Sequence, residues 1–231
     1  MPRRERRQRG AGLKANSEET LRATKTSLGE AFAAVRPRLD LVERFIDRQL
    51  AGGPPTVQEA GRYVVESGGK RLRPALLLVV SRMLGYAGDR DVAYGAVVEM
   101  IHTATLVHDD IIDHADVRRG RVTANNRWGN DVTVLVGDFL YSRAFQMMVS
   151  LGLPEVMRVM ADATNIIAAG EVMQLMNAGD PDTSEERYLE VIYRKTARLF
   201  EAGTQVAALV AGAPAPVEQA LKDYGRHLGI A

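Results

Sequence analysis

Three aspartates stand close together in the chain: Asp109, Asp110 and Asp113. On a helix, Asp109 and Asp113 lie on one face, a turn apart. Like charges at that spacing destabilise a helix, and an apolar run before them places them near its C-terminus, where the macrodipole also disfavours carboxylates. A bound divalent cation would offset both effects, and magnesium suits the pattern because it combines one or two carboxylates with water and phosphate oxygens. The alternative is an exposed acidic helix end without a ligand.

Cations follow these acids in a glycine-containing segment that carries Arg118, Arg119 and Arg121. Arginine binds phosphate oxygens through two parallel hydrogen bonds. Carboxylates for a metal beside arginines for phosphate are the combination that a site for a magnesium-bound diphosphate needs.

A second basic segment, Gly68–Pro74, places Lys70, Arg71 and Arg73 directly after two glycines. Glycines let a backbone approach a ligand closely, and the helix expected next adds a favourable dipole for an anion. This predicts a second phosphate site. The alternative is a solvated helix cap with extended basic side chains. The spacing is that of neither a P-loop nor a dinucleotide fingerprint.

The secondary structure that must position these residues is predicted from the spacing of apolar residues, which is helical almost throughout from about residue 18. Pro37 is a candidate kink, a polar loop is expected over residues 116–127, and no segment shows the alternation of a strand. The pattern therefore predicts an all-α bundle. Helices are expected over residues 28–50, 60–65, 73–84, 92–113, 132–149, 155–177, 184–209 and from 217 onward.

Composition narrows the function classes. The 231 residues include no cysteine, which excludes disulfides and thiolate metal sites, and a net charge of +1 argues against a nucleic-acid binder that works by bulk charge. No apolar run approaches the roughly 20 residues of a membrane span. Residues 1–17 are basic and predicted to be a disordered tail. Residues 18–231 are predicted to form one all-α domain.

Five ordered motifs resemble those of the trans-polyprenyl diphosphate synthases, particularly the long-chain, octaprenyl-type enzymes. The resemblance runs from about residue 20 to the C-terminus. It implies an isoprenoid synthase-type helical bundle around a central cavity. It also implies a magnesium-dependent head-to-tail condensation of isopentenyl diphosphate with an allylic prenyl diphosphate. The motifs are Gly68–Pro74, His102–Asp113, Arg118–Gly120, Gly137–Leu140 and Lys195–Ala197.

The resemblance also implies roles for individual residues. The diphosphate of isopentenyl diphosphate would be held by Lys70, Arg73 and His102, with Arg119 contributing. Asp109 and Asp113 would bind magnesium, and Arg118 would contact the allylic diphosphate. Lys195, Thr196 and Gln174 would lie beside the bond that breaks and the cation that forms.

Product length is expected to depend on Thr105, Ala104 and Ile101, the helix-face positions that precede Asp109. Shorter-chain relatives carry an aromatic residue four or five positions before that aspartate, so the smaller side chains here predict a product longer than C20. Phe145, Met147 and Met148 are candidates for a deeper floor, although each would also suit ordinary core packing. The resemblance further implies a homodimer in the cytoplasm.

The sequence departs from the family pattern at its end. Residues 223–231 match the approach to a second aspartate-rich motif, and the paired aspartates and later helices do not follow. The expectation is therefore a fragment with weak or absent activity. Two rivals remain: a class I terpene cyclase, against which Gly68–Pro74 and His102 argue, and a non-catalytic synthase subunit, which usually lacks an intact first aspartate motif.

Overall fold

The computed structural model describes residues 28–231, so the predicted basic tail lies outside the described residues. The chain divides into two units, Met1–Ala34 and Val35–Ala231. Of the first unit only residues 28–34 are described, and they form the beginning of a helix. The second unit contains every residue discussed below.

The described residues are helical apart from short connections and one small hairpin, as the sequence pattern predicts. The prediction of an all-α fold is confirmed. The helices are α1 Leu28–Leu50, α2 Pro55–Glu66, α3 Leu72–Met83, α4 Arg90–Ile112, α5 Ala124–Trp128, α6 Asn130–Leu151, α7 Pro154–Asn177, α8 Glu185–Ile192, a π-helical turn Tyr193–Ala197, α9 Arg198–Val210 and α10 Ala215–Ile230.

Helix α4 is the centre of the bundle and is apolar on nearly every side. Tyr94, Val97, Val98 and Ile101 are all inaccessible to solvent. A helix that is apolar all round must be surrounded by other elements, and α4 packs against α3, α6 and α9. The aspartates lie in the last turn and at the C-cap of α4. They are therefore positioned by a helix that is packed on nearly every side.

Two expectations needed correction. The predicted loop 116–127 contains an antiparallel hairpin, β1 Val117–Arg118 and β2 Arg121–Val122, followed by α5. Strands of two residues are too short to show alternation. The predicted helix 184–209 is interrupted by the π-turn. Pro37 lies inside α1, and the kink expected there stays a prediction.

Among the described residues, no helix combines the length and hydrophobicity that crossing a membrane requires.

Candidate active site

The loop between α2 and α3 borders a cleft of about 450 Å³, here called the anion cleft. Gly68 has a φ of 85°, the conformation that its lack of a side chain permits. The cleft is lined by all four residues predicted to hold a diphosphate: Lys70, Arg73, His102 and Arg119. A side chain on Gly69 would overlap the guanidinium of Arg119, so this glycine is what lets the two segments meet.

His102 and Arg73 form the buried wall of the anion cleft. Arg73 Nη1 donates to His102 Nε2 over 3.1 Å, and the Arg73 guanidinium lies 4.4 Å from the centre of the Phe200 ring. Burial and the neighbouring arginines, Arg73 first, lower the pKa of His102 to about 2. Burial also lowers the pKa of Arg73 to about 10, which leaves it charged at neutral pH. His102 is therefore a neutral acceptor that orients a cation.

This geometry predicts a pH effect on stability. Because the pKa of His102 is about 2 in the folded chain and about 6.5 when unfolded, its contribution is fully present above about pH 6.5 and is lost as the pH falls towards 2. Between pH 7.5 and 5 the loss is about 2 kcal/mol. Urea unfolding at both pH values should show that His102→Gln removes about this much of the pH dependence.

The matched control for this measurement is His227→Gln, at an exposed position on α10, which should keep the pH dependence of the parent chain. An unchanged pH dependence in His102→Gln would contradict the burial of a neutral imidazole.

The β1–β2 hairpin positions the two arginines predicted to bind phosphate. Tyr63 on α2 holds the hairpin in place: its hydroxyl donates to the Val122 carbonyl over 2.6 Å, and the Arg121 guanidinium lies 4.5 Å from its ring centre. Arg118 Nε donates to Asp110 Oδ1 over 2.5 Å. Asp110 is only 6% exposed, so the middle aspartate of the motif orients Arg118.

A second cleft of about 810 Å³ lies between α4, α6 and α7 and is here called the carboxylate cleft. Asp109 and Glu171 line it, and Lys195 lies between their carboxylates. Lys195 Nζ is 2.6 Å from Glu171 Oε2 and 3.2 Å from Asp109 Oδ2. Burial opposes the charge on Lys195, but the hydrogen bond to Glu171 and the charge of Asp109 outweigh it and raise its pKa. Burial also raises the pKa of Glu171, with a further contribution from Asp109.

The π-turn explains how Lys195 reaches these carboxylates. A π-helical turn holds one more residue than an α-helical turn, and such turns are common at functional sites. Gly170 on α7 faces it: a side chain there would place its Cβ 2.7 Å from Arg194 Cβ and 3.0 Å from the Lys195 backbone nitrogen. Gly170 therefore lets α7 approach the turn closely, and the next residue, Glu171, meets Lys195.

The acidic residues fit a magnesium ion whose coordination is completed by water and by the oxygens of a bound ligand. Asp109 is 7% exposed, while Asp113 caps the C-terminus of α4 at the surface. Within residues 28–231, no group of three or more carboxylate, histidine or cysteine side chains is close enough to form a metal site by itself. Magnesium typically takes one or two carboxylates and fills its other positions with water and phosphate oxygens. Two acids one turn apart meet that requirement.

Comparison with known proteins identifies the family. The sequence model of the polyprenyl synthetase family matches residues 54–231. The chain belongs to the polyprenyl synthetase family.

Relatives of this chain include curated enzymes and solved structures. The octaprenyl diphosphate synthase of Haemophilus influenzae is 49% identical over 205 residues, which are 89% of this chain and 62% of the relative. That of Escherichia coli is 52% identical over 190 residues, 82% of this chain and 59% of the relative. The chain thus spans about three fifths of the length of these enzymes.

Two solved structures share the fold over most of this chain. A decaprenyl diphosphate synthase from Rhodobacter capsulatus aligns with a TM-score of 0.85 and 45% identity over 87% of this chain and 62% of its own. A polyprenyl synthase from Caulobacter crescentus, complexed with calcium and isoprenyl diphosphate, aligns with a TM-score of 0.85 and 38% identity over 88% of this chain and 62% of its own. The predicted isoprenoid synthase-type bundle is confirmed.

The remaining predicted residues differ in how deeply they are buried. Thr105 lines the carboxylate cleft together with Phe145. Ala104 and Ile101 are inaccessible and belong to the core of α4, and Met147 and Met148 are also buried. Thr196 lies half-buried in the π-turn, and Gln174 lies half-buried on α7, one turn beyond Glu171. The roles of these residues stay predictions.

Sequence reasoning missed two acids of the site, Glu99 and Glu171. It named Asp110 with the other aspartates but gave it no role of its own. Glu99 and Glu171 each stand alone among apolar residues on a helix. A lone acid on an otherwise apolar helix needs a partner, because burying an unpaired charge is costly. That pattern could have identified both.

Proposed function

We propose that the chain acts as a magnesium-dependent prenyltransferase that condenses isopentenyl diphosphate with an allylic prenyl diphosphate to give a long trans-polyprenyl diphosphate of the octaprenyl type. The observation that carries this is the pair of clefts along α4, one lined by Glu99 and His102 and the other by Thr105 and Asp109. The anion cleft has four cationic side chains and a neutral histidine. The carboxylate cleft has Asp109 and Glu171, with Lys195 between their carboxylates, together with apolar side chains such as Phe145. Two diphosphates would therefore bind at two chemically different places.

The residues of the anion cleft would bind isopentenyl diphosphate without a metal. Lys70, Arg73 and Arg119 supply charge, and His102 fixes the guanidinium of Arg73 through its neutral Nε2. The cleft contributes no nucleophile to the reaction, because the double bond of isopentenyl diphosphate attacks the allylic carbon. Its task is to hold that double bond in place.

The residues around the carboxylate cleft would bind the allylic diphosphate. Magnesium held by Asp109 and Asp113 would neutralise the diphosphate as it leaves. Arg118 and Lys195 would contact its oxygens, and the polar side chains of Thr196 and Gln174 would face the allylic cation. The prenyl tail would extend into the cleft towards Phe145, and the released diphosphate would accept the proton that is lost.

The test separates the two binding modes by titration calorimetry. Isopentenyl diphosphate should bind with or without Mg²⁺, and Arg73→Met should weaken it at least tenfold. Farnesyl diphosphate should bind only with Mg²⁺, and Asp109→Asn should abolish this Mg²⁺-dependent binding. Arg158→Met, which breaks only an exposed pair on α7, is the control. If both ligands showed the same metal dependence, the two-site assignment would be wrong.

Transfer of radiolabel from isopentenyl diphosphate to a farnesyl diphosphate primer measures the reaction itself. Long-chain labelled product that disappears in Asp109→Asn is the expected result. Conversion of the farnesyl diphosphate primer into an unlabelled cyclic hydrocarbon would instead favour a terpene cyclase. No transfer under conditions where both diphosphates bind would favour a non-catalytic subunit.

Product length gives a separate prediction. Thr105 borders the carboxylate cleft, whereas Ala104 is fully buried. Thr105→Phe should therefore shorten the product, because its ring would enter the path of the tail. Ala104→Phe must instead displace core neighbours and should cost about 1–3 kcal/mol of stability. Chromatography of the products and thermal unfolding measure the two effects, and an unchanged product in Thr105→Phe would exclude this wall of the cleft as the tail path.

Two further properties are proposed from the family. The protein would be a homodimer in the cytoplasm, and the exposed apolar side chains of Leu135 and Val149 on α6, 62% and 63% exposed, support a partner for that helix. Sedimentation of the chain against a Leu135→Glu, Val149→Glu variant tests the dimer: the variant should sediment as a monomer.

A further inference from the structure

Arg71 behaves differently from the two cations on either side of it. Lys70 is exposed and Arg73 points to His102, whereas the Arg71 side chain is only 12% exposed and bound to protein acceptors. Its Nη1 donates to Glu99 Oε1 over 2.6 Å, and its Nη2 donates to the Val65 carbonyl over 2.5 Å. Its Nε also donates to Glu43 Oε1 on α1 over 3.5 Å. Its donors are thus committed to three helices, α4, α2 and α1.

The backbone of Arg71 shows why such anchoring matters. Its φ is 48° and its ψ is 37°, the left-handed conformation that residues with a side chain avoid. This residue is also the N-cap of α3, and its carbonyl accepts the hydrogen bond from the Ala75 amide over 3.0 Å. The direction in which Lys70 and Arg73 leave the loop therefore depends on keeping Arg71 in an unfavourable conformation.

Glu99 is the partner that can hold Arg71 in this left-handed conformation. Its side chain is 5% exposed, and it lies on α4 one turn before His102. It is the only acid among the residues that line the anion cleft in the described part of the chain. The charge of Glu99 also raises the pKa of Arg73, against the lowering by burial. An acid in a cleft for anions opposes ligand binding by its charge, so its presence needs another explanation.

We propose that Arg71 and Glu99 form a positioning pair that locks the loop 68–73 and so directs Lys70 and Arg73 into the anion cleft. The pair itself does not contact the diphosphate. This inference rests on the proposed function, because it assumes that the anion cleft binds a diphosphate.

The role of the pair can be tested because a purely electrostatic effect of Glu99 and a positioning effect predict opposite changes in pyrophosphate affinity. Removing the charge of Glu99 alone should strengthen pyrophosphate binding, since the cleft becomes more positive. A positioning role predicts weaker binding: Glu99→Leu should raise the dissociation constant at least tenfold, because a buried charged hydrogen bond is lost. Glu99→Gln removes the same charge but keeps an acceptor for Arg71, so it should lie between Glu99→Leu and the parent chain.

A double-mutant cycle shows whether the two residues act through each other. Arg71→Met alone should weaken pyrophosphate binding to a similar extent as Glu99→Leu, and the double variant should be no weaker than either single variant. Arg62→Met is the matched control, because it breaks an exposed pair with Asp47 between α1 and α2 and should leave binding unchanged. Additive losses, or binding that becomes tighter in Glu99→Leu or Glu99→Gln, would overturn the proposal.

Hydrogen exchange without any ligand separates this proposal from the proposed function. The amide of Ala75, which donates to the Arg71 carbonyl, should exchange faster in Arg71→Met and Glu99→Leu than in the parent chain and in Arg62→Met. Unchanged exchange would refute the pair as an anchor, whatever the binding data show. If the parent chain bound neither pyrophosphate nor isopentenyl diphosphate, the proposed function of the cleft would fail, and the anchor would be decided by exchange alone.

Discussion

Replacing Lys195 by methionine should destabilise the chain in the absence of divalent cations and make magnesium stabilise it. Lys195 Nζ lies 2.6 Å from Glu171 and 3.2 Å from Asp109, and the three side chains are 23%, 20% and 9% exposed. Methionine keeps most of the volume and removes the charge. Two partly buried carboxylates are then left facing each other without a cation.

The size of this effect follows from the burial of the group. Removing one partner of a fully buried ion pair costs about 3–5 kcal/mol. The remaining exposure of Lys195 and Glu171 reduces the expected loss of unfolding free energy to about 1–3 kcal/mol. Urea unfolding in EDTA measures it.

Magnesium should restore most of this loss, since Asp109 is freed from its competing ammonium group. A ligand that binds only the folded state stabilises it by about 2.7 kcal/mol at a hundred times its dissociation constant. Millimolar Mg²⁺ should therefore raise the melting temperature of Lys195→Met by more than that of the parent chain. Prenyl transfer should fall about a hundredfold even so, because Lys195 is also proposed to contact the diphosphate.

Two variants control this experiment. Lys195→Arg keeps the charge and should preserve stability in EDTA, and Arg158→Met breaks an exposed pair on α7 that is worth less than about 1 kcal/mol. An equal response to Mg²⁺ in Lys195→Met and the parent chain would show that Lys195 does not compete for the acids.

The sequence predicted best what a single helix determines. Asp109 and Asp113 lie near the end of α4 because a 3.6-residue period and an apolar run are local properties. The start of α3 near residue 73 was predicted for the same reason. These features need no knowledge of the rest of the fold.

Contacts between helices could not be predicted in this way. The basic segment Gly68–Pro74 looked like a uniform phosphate site, yet Arg71 is paired with Glu99, 28 residues further along the chain. Glu171 meets Lys195 across 24 residues. Which of several cations turns towards an acid depends on the packing of whole helices, and a periodic pattern does not record that.

The π-turn was missed for a related reason. A helical period continues on both sides of residues 193–197, so the pattern predicts one helix over residues 184–209. The extra residue in the turn is accommodated by neighbours from elsewhere in the chain: Gly170 on α7, and Gly229 on α10, whose added Cβ would lie 2.5 Å from Ala197 Cα. The glycines are visible in the sequence, but their partner is not.

Gly170→Ala should therefore reverse the usual effect of alanine in a helix. Alanine is normally better than glycine there by about 0.8–1 kcal/mol. At position 170 the new Cβ would lie 2.7 Å from Arg194 Cβ and 3.0 Å from the Lys195 backbone nitrogen. One neighbour is backbone, so relief requires moving the π-turn, and such overpacking costs about 1–3 kcal/mol. We expect a net loss of stability and weaker magnesium-dependent binding of farnesyl diphosphate, because Lys195 moves with the turn.

Gly203→Ala is the matched control for this prediction. Gly203 is also helical, in α9 just beyond the π-turn, and an added Cβ would meet no atom within 4 Å. It should gain up to about 1 kcal/mol from helix propensity alone and bind farnesyl diphosphate as the parent chain does. Thermal unfolding and calorimetry of the two variants side by side separate propensity from contact. We expect the two substitutions to change the free energy of unfolding in opposite directions. If both alanines stabilised the chain, the close approach of α7 would not be what positions Lys195.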